Sequence, residues 1–134
     1  MGDEGGKDGM NVRDFEDLEV YREAREFRKR VYKLTRLLPG DEKFIIIPQM
    51  RRAAISITNN IAESHGRYGY QDKARFLRNA RGSMQEILDD INICEDEKYA
   101  KKEHLDDLRQ HGIKVRKLIN GYIAYLNREK KKGQ

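Results

Sequence analysis

Apolar residues recur at Val20, Ala24, Phe27, Val31, Leu34 and Leu38, spaced 4, 3, 4, 3 and 4. Residues three and four apart stack along one side of an α-helix, so this spacing predicts a first helix with a single apolar face. Pro39 and Gly40 end it, because neither continues a helix well. A second helix is expected from about Pro48, a residue suited to a helix start because its missing N–H would find no partner there. It runs to about Ser64, and its apolar residues Met50, Ala53, Ala54, Ile55, Ile57, Ile61 and Ala62 cover more than one face. That predicts the most buried helix, touching neighbours on several sides. His65 to Tyr70, with Gly66 and Gly69, reads as a turn. A third helix opens near Gln71 or Asp72 and carries Leu77, Ala80, Met84, Ile87, Ile91 and Cys94 at alternating steps of 3 and 4. A fourth carries Leu105, Leu108, Gly112, Val115, Ile119, Tyr122 and Leu126 in the same alternation. Four such helices with short joints predict an all-α, antiparallel up-down-up-down bundle.

Composition supports this class. Of 134 residues 37% are hydrophobic and 38% charged, with two prolines and no tryptophan. So few apolar residues make an economical core, which helices gather on single stripes. Length and pattern give one domain over residues 13–130, preceded by a Gly-rich polar segment, residues 1–12, expected to be disordered, and followed by a basic tail, residues 131–134. No apolar run approaches the roughly 20 residues of a membrane span, and the first ten residues contain no apolar stretch to serve as a secretory signal. A lone cysteine, Cys94, leaves no internal disulfide to form, and the expected location is a reducing cytoplasm.

The net charge of +5 is unevenly placed. Up-down topology brings the end of the second helix, the start of the third and the end of the fourth to one pole. Arg67, Lys73, Arg75, Arg78 and Arg81 stand there against Asp72, and Arg128, Lys130, Lys131 and Lys132 against Glu129. From Ser83 to Asp107, by contrast, nine acids face three lysines. The third helix is thus basic first and acidic later, opposite to what its dipole prefers. Gln71, Arg75, Arg78 and Gly82 share a stripe opposite Leu77, Ala80 and Met84, so these arginines point away from the core. Such a cluster suits phosphate contact, since guanidinium forks match phosphate oxygens. A solvated face or salt bridges between subunits would use the same residues. Tyr68 and Tyr70, beside Arg67, are candidates for stacking on unpaired bases.

Other chemistries lack their residues. A di-metal carboxylate bundle uses Glu-x-x-His pairs, and no Glu here has a His three residues later, so no metal or other cofactor is expected. His104 and His111 lie seven apart, about 10 Å along a helix, too far to share a metal, and are expected at the surface. Cys94 falls on a core stripe and fills space. The glycines at 66, 69 and 82 form no phosphate loop. One polar ribbon remains on the second helix: Arg52, Ser56, Asn59 and Glu63 at steps of 4, 3 and 4, with Asn60 beside them. Buried polar groups require hydrogen bonds, and Ser83 and Glu86 on the third helix are the expected partners. The ribbon reads as a structural network or as a catalytic one.

Phe15-Glu16-Asp17-Leu18, Gln49 through Ile57, Asn60-Ile61-Ala62-Glu63, and Phe76-Leu77 with Ala80-Arg81-Gly82-Ser83 and Glu86 together resemble a known four-helix-bundle family. Its members include the proteins encoded in intervening sequences of bacterial 23S rRNA genes. The resemblance spans Phe15 to about Arg128. It implies a homopentameric ring of antiparallel bundles with no known catalytic activity. A related branch, the accessory variability determinant of diversity-generating retroelements, is a basic pentamer that binds nucleic acid and its reverse transcriptase. Ser64 and Thr58 stand where the family usually has glycine and often has proline, which implies a straighter second helix, longer by about two residues. The expected function is non-enzymatic binding of structured RNA by a basic oligomer. The alternative is a protein-interaction ring with no nucleic-acid ligand.

Overall fold

The computed structural model describes residues 14–133. It contains four helices: α1 (Glu19–Thr35), α2 (Ile46–His65), α3 (Tyr70–Asp96) and α4 (Lys102–Lys132), with single 3-10 turns at Phe15–Asp17 and Gly40–Glu42. No strand occurs among the described residues. Consecutive helices pack on one another and α4 returns to α1, so α1 and α3 occupy diagonal corners of the bundle. Cross-helix hydrogen bonds show the antiparallel order. Arg28 and Thr35 of α1 pair with Thr58 and Arg51 of α2, and Ser56 and Gln49 of α2 pair with Ser83 and Asp90 of α3.

The apolar stripes bury as their spacing requires. Phe27, Val31, Met50, Leu77, Met84, Ile87, Leu105 and Ile119 are completely enclosed. Gly112 provides the closest approach between layers: a methyl group there would lie 3.2 Å from Phe27, Met84 and Leu88. α2 packs chiefly on α1 and α3, and Ile55 remains exposed on its outer side. The segment expected to be disordered, residues 1–12, lies outside the described residues.

Several boundaries differ from the sequence expectation. α1 stops at Thr35, and Arg36 to Leu38 continue as turns in which Leu37 and Leu38 donate to Leu34 and Thr35 carbonyls. α2 begins at Ile46, so Pro48 is its third residue. Its missing N–H costs nothing there, because first-turn donors have no partner one turn back. Lys131 and Lys132 belong to α4, which continues to Lys132 in place of a separate basic tail beginning at 131.

The end of α3 carries no glycine signal. Lys98 takes φ 58°, and the next amide, Tyr99, donates to the Cys94 carbonyl at 2.9 Å while Lys98 donates to Glu95 at 3.1 Å. This is the left-handed helix stop that glycine usually supplies. A β-carbon costs roughly 1–2 kcal/mol in that conformation. Lys98→Gly is therefore expected to raise stability by up to about 1 kcal/mol after its larger unfolded-state entropy is subtracted, read as a higher urea midpoint at unchanged slope. A lower midpoint would contradict this.

Candidate nucleic-acid interface

The predicted basic pole forms, but its residues divide into two groups. Arg67 reaches Glu63 at 2.7 Å and Asp72 at 3.7 Å. Arg75 donates through Nε and Nη2 to Asp72 Oδ1 at 3.1 and 2.7 Å. Both guanidinium groups also stack on Phe76, at 4.7 and 4.3 Å from its ring centre. Arg81 bridges α3 to α4 through Asn120 at 2.8 Å, and Lys132 pairs with Glu129 at 3.2 Å.

Lys73 plays a structural part at this pole. Its half-buried ammonium donates to the carbonyls of His65 and Ser64 at 3.0 and 3.4 Å, while Ser64 Oγ donates back to the Lys73 carbonyl at 2.8 Å. A cation on the last carbonyls of α2 is favourable because that end carries partial negative charge. Burial nevertheless holds the Lys73 amine below its ordinary value. Sequence alone showed a lysine in a basic run; the fold supplies two carbonyls that occupy it.

The remaining four cations are uncommitted. Arg78, Arg128, Lys130 and Lys131 are exposed, and none has a partner among the described residues. Gln71, Arg75, Arg78 and Gly82 all face outward, as the helical spacing requires. Tyr68 is fully exposed and Tyr70 partly so. A groove of about 560 Å³ opens at the same pole between the start of α1 and α4, lined in part by Leu18, His65, Leu118, Tyr122 and Tyr125.

The polar ribbon closes only in part. Ser83 Oγ donates to Ser56 Oγ at 2.9 Å, and Asn60 donates to the Ser56 carbonyl and hydroxyl at 2.9 and 3.0 Å. Glu63 turns to Arg67. Arg52, Asn59 and Glu86 are exposed and make no such contact among the described residues. Arg52, Ser56, Ser83 and Glu86 line a shallow open groove between α2 and α3. Thr58 accepts from Arg28 at 2.7 Å and donates to the Ile55 carbonyl at 3.0 Å, tying α1 to α2.

Two buried groups escaped the sequence reading. Asp90 is 2% exposed, accepts a hydrogen bond from Gln49 at 2.7 Å through Oδ1, and leaves Oδ2 without a partner among the described residues. Burial, together with the nearby Asp89 and Glu86 charges, raises its carboxyl to about 6 against the Gln49 hydrogen bond. Between the unfolded value of 3.8 and that value, the native chain holds a proton the unfolded chain has released, so stability falls as pH rises through this interval. Asp90→Asn is expected to stabilise the protein at pH 8 by on the order of 2–3 kcal/mol and to have little effect at pH 4. Equal effects at both pH values, measured by urea unfolding, would contradict this.

His111 is the other, and it corrects the expectation of a surface histidine. Its side chain is 14% exposed and stands edge-on to Phe27. Arg30 Nη1 lies 3.0 Å from Nδ1, and Glu23 lies 3.0 Å from Nε2. Arginine only donates, so Nδ1 accepts and Nε2–H donates to Glu23. Burial opposes ionisation of Glu23, but His111 and Lys114 outweigh it and hold the carboxyl below its ordinary value. His104, by contrast, is exposed. Cys94 is enclosed, and burial followed by the charges of Asp90 and Glu42 pushes its thiol up to about 11, so it stays protonated at neutral pH.

Among the described residues no group of three or more His, Cys, Asp or Glu is placed to hold a metal ion. No helix there is long and apolar enough to cross a membrane.

The fold has a solved counterpart. A protein of unknown function from the S23 ribosomal protein family of Bacteroides thetaiotaomicron superposes with a TM-score of 0.72 at 23% identity, covering 78% of this chain and 97% of that one. No curated protein matches the chain. The model of the 23S rRNA-intervening sequence protein family matches residues 16–121, which contain all of α1, α2 and α3 and most of α4. The chain belongs to that family.

Proposed function

We propose that this protein is a non-enzymatic RNA-binding bundle that holds structured RNA by its phosphates at the basic pole. The observation that carries the reading is the group of four exposed cations, Arg78, Arg128, Lys130 and Lys131, which have no partner among the described residues and lie on the first third of α3 and the end of α4. Unpaired cations release counterions from a polyanion on contact without first giving up an acid of their own chain. Tyr68 adds a ring free to stack on an unpaired base. The contact is expected to be largely independent of sequence, because phosphate contacts position a nucleic acid without reading it. The ligand class proposed is rRNA, with the protein acting as an accessory factor in the cytoplasm. The homopentameric ring and a reverse-transcriptase partner belong to this proposal as implications of the family resemblance.

A second reading, a protein-interaction ring without nucleic acid, draws on the opposite pole. Leu37, Phe44 and Ile45 are 67%, 85% and 66% exposed within one connection, an apolar cluster of the kind that subunit contacts cover. One experiment separates the two readings. Purified protein is titrated with a structured rRNA fragment and a single-stranded control while light scattering follows assembly of an Arg75→Glu, Arg78→Glu variant. The RNA reading predicts binding by the native protein and an intact, binding-deficient variant. A native protein that ignores RNA, and whose assembly is lost when Phe44 and Ile45 are changed to serine, would establish the second reading in its place.

A further inference from the structure

α1 carries a second basic surface that the RNA-binding pole does not include. Its apolar stripe of Val20, Ala24, Phe27, Val31 and Leu34 is buried, and the line opposite consists of Arg22, Arg25, Lys29, Lys33 and Arg36. All five are exposed. At 1.5 Å per residue they extend about 21 Å in steps of roughly 4.5–6 Å. Glu26 flanks the line beside Lys29, and no apolar residue interrupts it. A depression of about 580 Å³ runs beside it, lined by α1 residues and Arg36.

This charge is largely unspent. Lys29 has a loose pair with Glu26 at 3.4 Å, and Arg22 donates to the Asp17 carbonyl. Arg25, Lys33 and Arg36 have no partner among the described residues. Of the other acids of α1, Glu23 faces α4 through His111 and Lys114, and Glu19 stands exposed at the helix start.

We infer that the α1 line is a second phosphate-binding track, on the side of the bundle away from the α3 arginines. The inference rests on the RNA-binding reading above and extends it. α1 and α3 are diagonal, so their outward stripes face in opposite directions. One chain then presents two separate RNA-contacting surfaces and holds RNA on both sides of the bundle. The line's composition selects phosphate over a protein partner. The core of a protein interface is apolar and aromatic and depleted in charged residues, whereas this line is cationic throughout. It does not suit a bilayer either, because the apolar face of α1 is committed to the core.

The test uses the full chain, structured RNA as probe, and two readouts. Acetylation of Lys29 and Lys33 is followed by mass spectrometry with and without RNA, in native protein and in a variant with Arg78, Arg128, Lys130 and Lys131 changed to glutamine. Protection of both lysines is expected in each, at RNA concentrations that saturate each protein. In parallel, changing Arg25, Lys29, Lys33 and Arg36 to glutamine is expected to lower the slope of log affinity against log salt by about 3, the loss of four phosphate contacts. Unprotected lysines and an unchanged slope in a protein that still binds RNA would overturn the second track alone. A native protein that binds no RNA would overturn both the track and the functional reading. Protection by polyglutamate but not by RNA would assign the line to an acidic protein and overturn the inference.

Discussion

Changing Arg78, Arg128, Lys130 and Lys131 together to glutamine is expected to weaken binding of structured RNA by about a thousandfold at 0.1 M salt. Each phosphate contact contributes roughly 0.7–0.9 to the slope of log affinity against log salt, so four contacts contribute about 3. If the two proteins converge near 1 M salt, where screening removes the term, that slope becomes about three powers of ten at 0.1 M. The four side chains are exposed and make no contact among the described residues, so stability should change by less than about 0.5 kcal/mol. Arg67, which is engaged with Glu63, Asp72 and Phe76, serves as the control. Its replacement should disturb RNA binding less than replacement of Arg78. Fluorescence anisotropy with labelled RNA reads both effects, and an equal loss from the two single changes would contradict the division of the pole into paired and free cations.

Phe27→Ala is expected to destabilise the bundle by about 3–5 kcal/mol. Phe27 is wholly enclosed, stands edge-on to His111, and fills the space left by the absent side chain of Gly112. Helices α1 and α4 meet at that point. Removing the ring leaves a cavity that the neighbouring backbone cannot close, since α1 is tied to α4 by Arg30, His111 and Glu23 on the adjacent face. Against a total stability of about 5–15 kcal/mol for a domain of this size, such a loss leaves a protein near its unfolding transition at physiological temperature. Chemical unfolding followed by circular dichroism measures it. A loss below about 1 kcal/mol would show that the α1–α4 layer repacks.

The bundle was legible because its signal is local and repeated. The 3-and-4 spacing in α1, α3 and α4 names the residues that are buried, from Phe27 to Leu126, without knowledge of any neighbour. α2 was less clear, because apolar residues on several faces do not say which face is left uncovered; Ile55 is the one exposed. The basic pole was legible as charge, and its outward stripe as spacing. What the spacing cannot contain is the identity of groups brought in from elsewhere in the chain. Lys73 meets two carbonyls of α2, and Arg67 and Arg75 converge on Asp72 and Phe76.

Asp90 illustrates the same limit. It reads as one acid in an acidic stretch until α2 covers it and Gln49 reaches it. His111 likewise looked like a surface residue because the side of α4 that faces α1 is set by the bundle's closure. The α1 line is a different case. Its signal lies in the spacing of Arg22, Arg25, Lys29, Lys33 and Arg36 opposite the apolar stripe, along the side of the bundle and not at its pole.

RNA affinity measured across a salt series from 50 to 500 mM tests the central claim most directly, with a structured rRNA fragment as ligand. Four free cations at the pole predict a slope of about −3 or steeper in log affinity against log salt. A slope near zero, or no binding at the lowest salt, would contradict the assignment of this bundle as a phosphate-contacting RNA-binding protein.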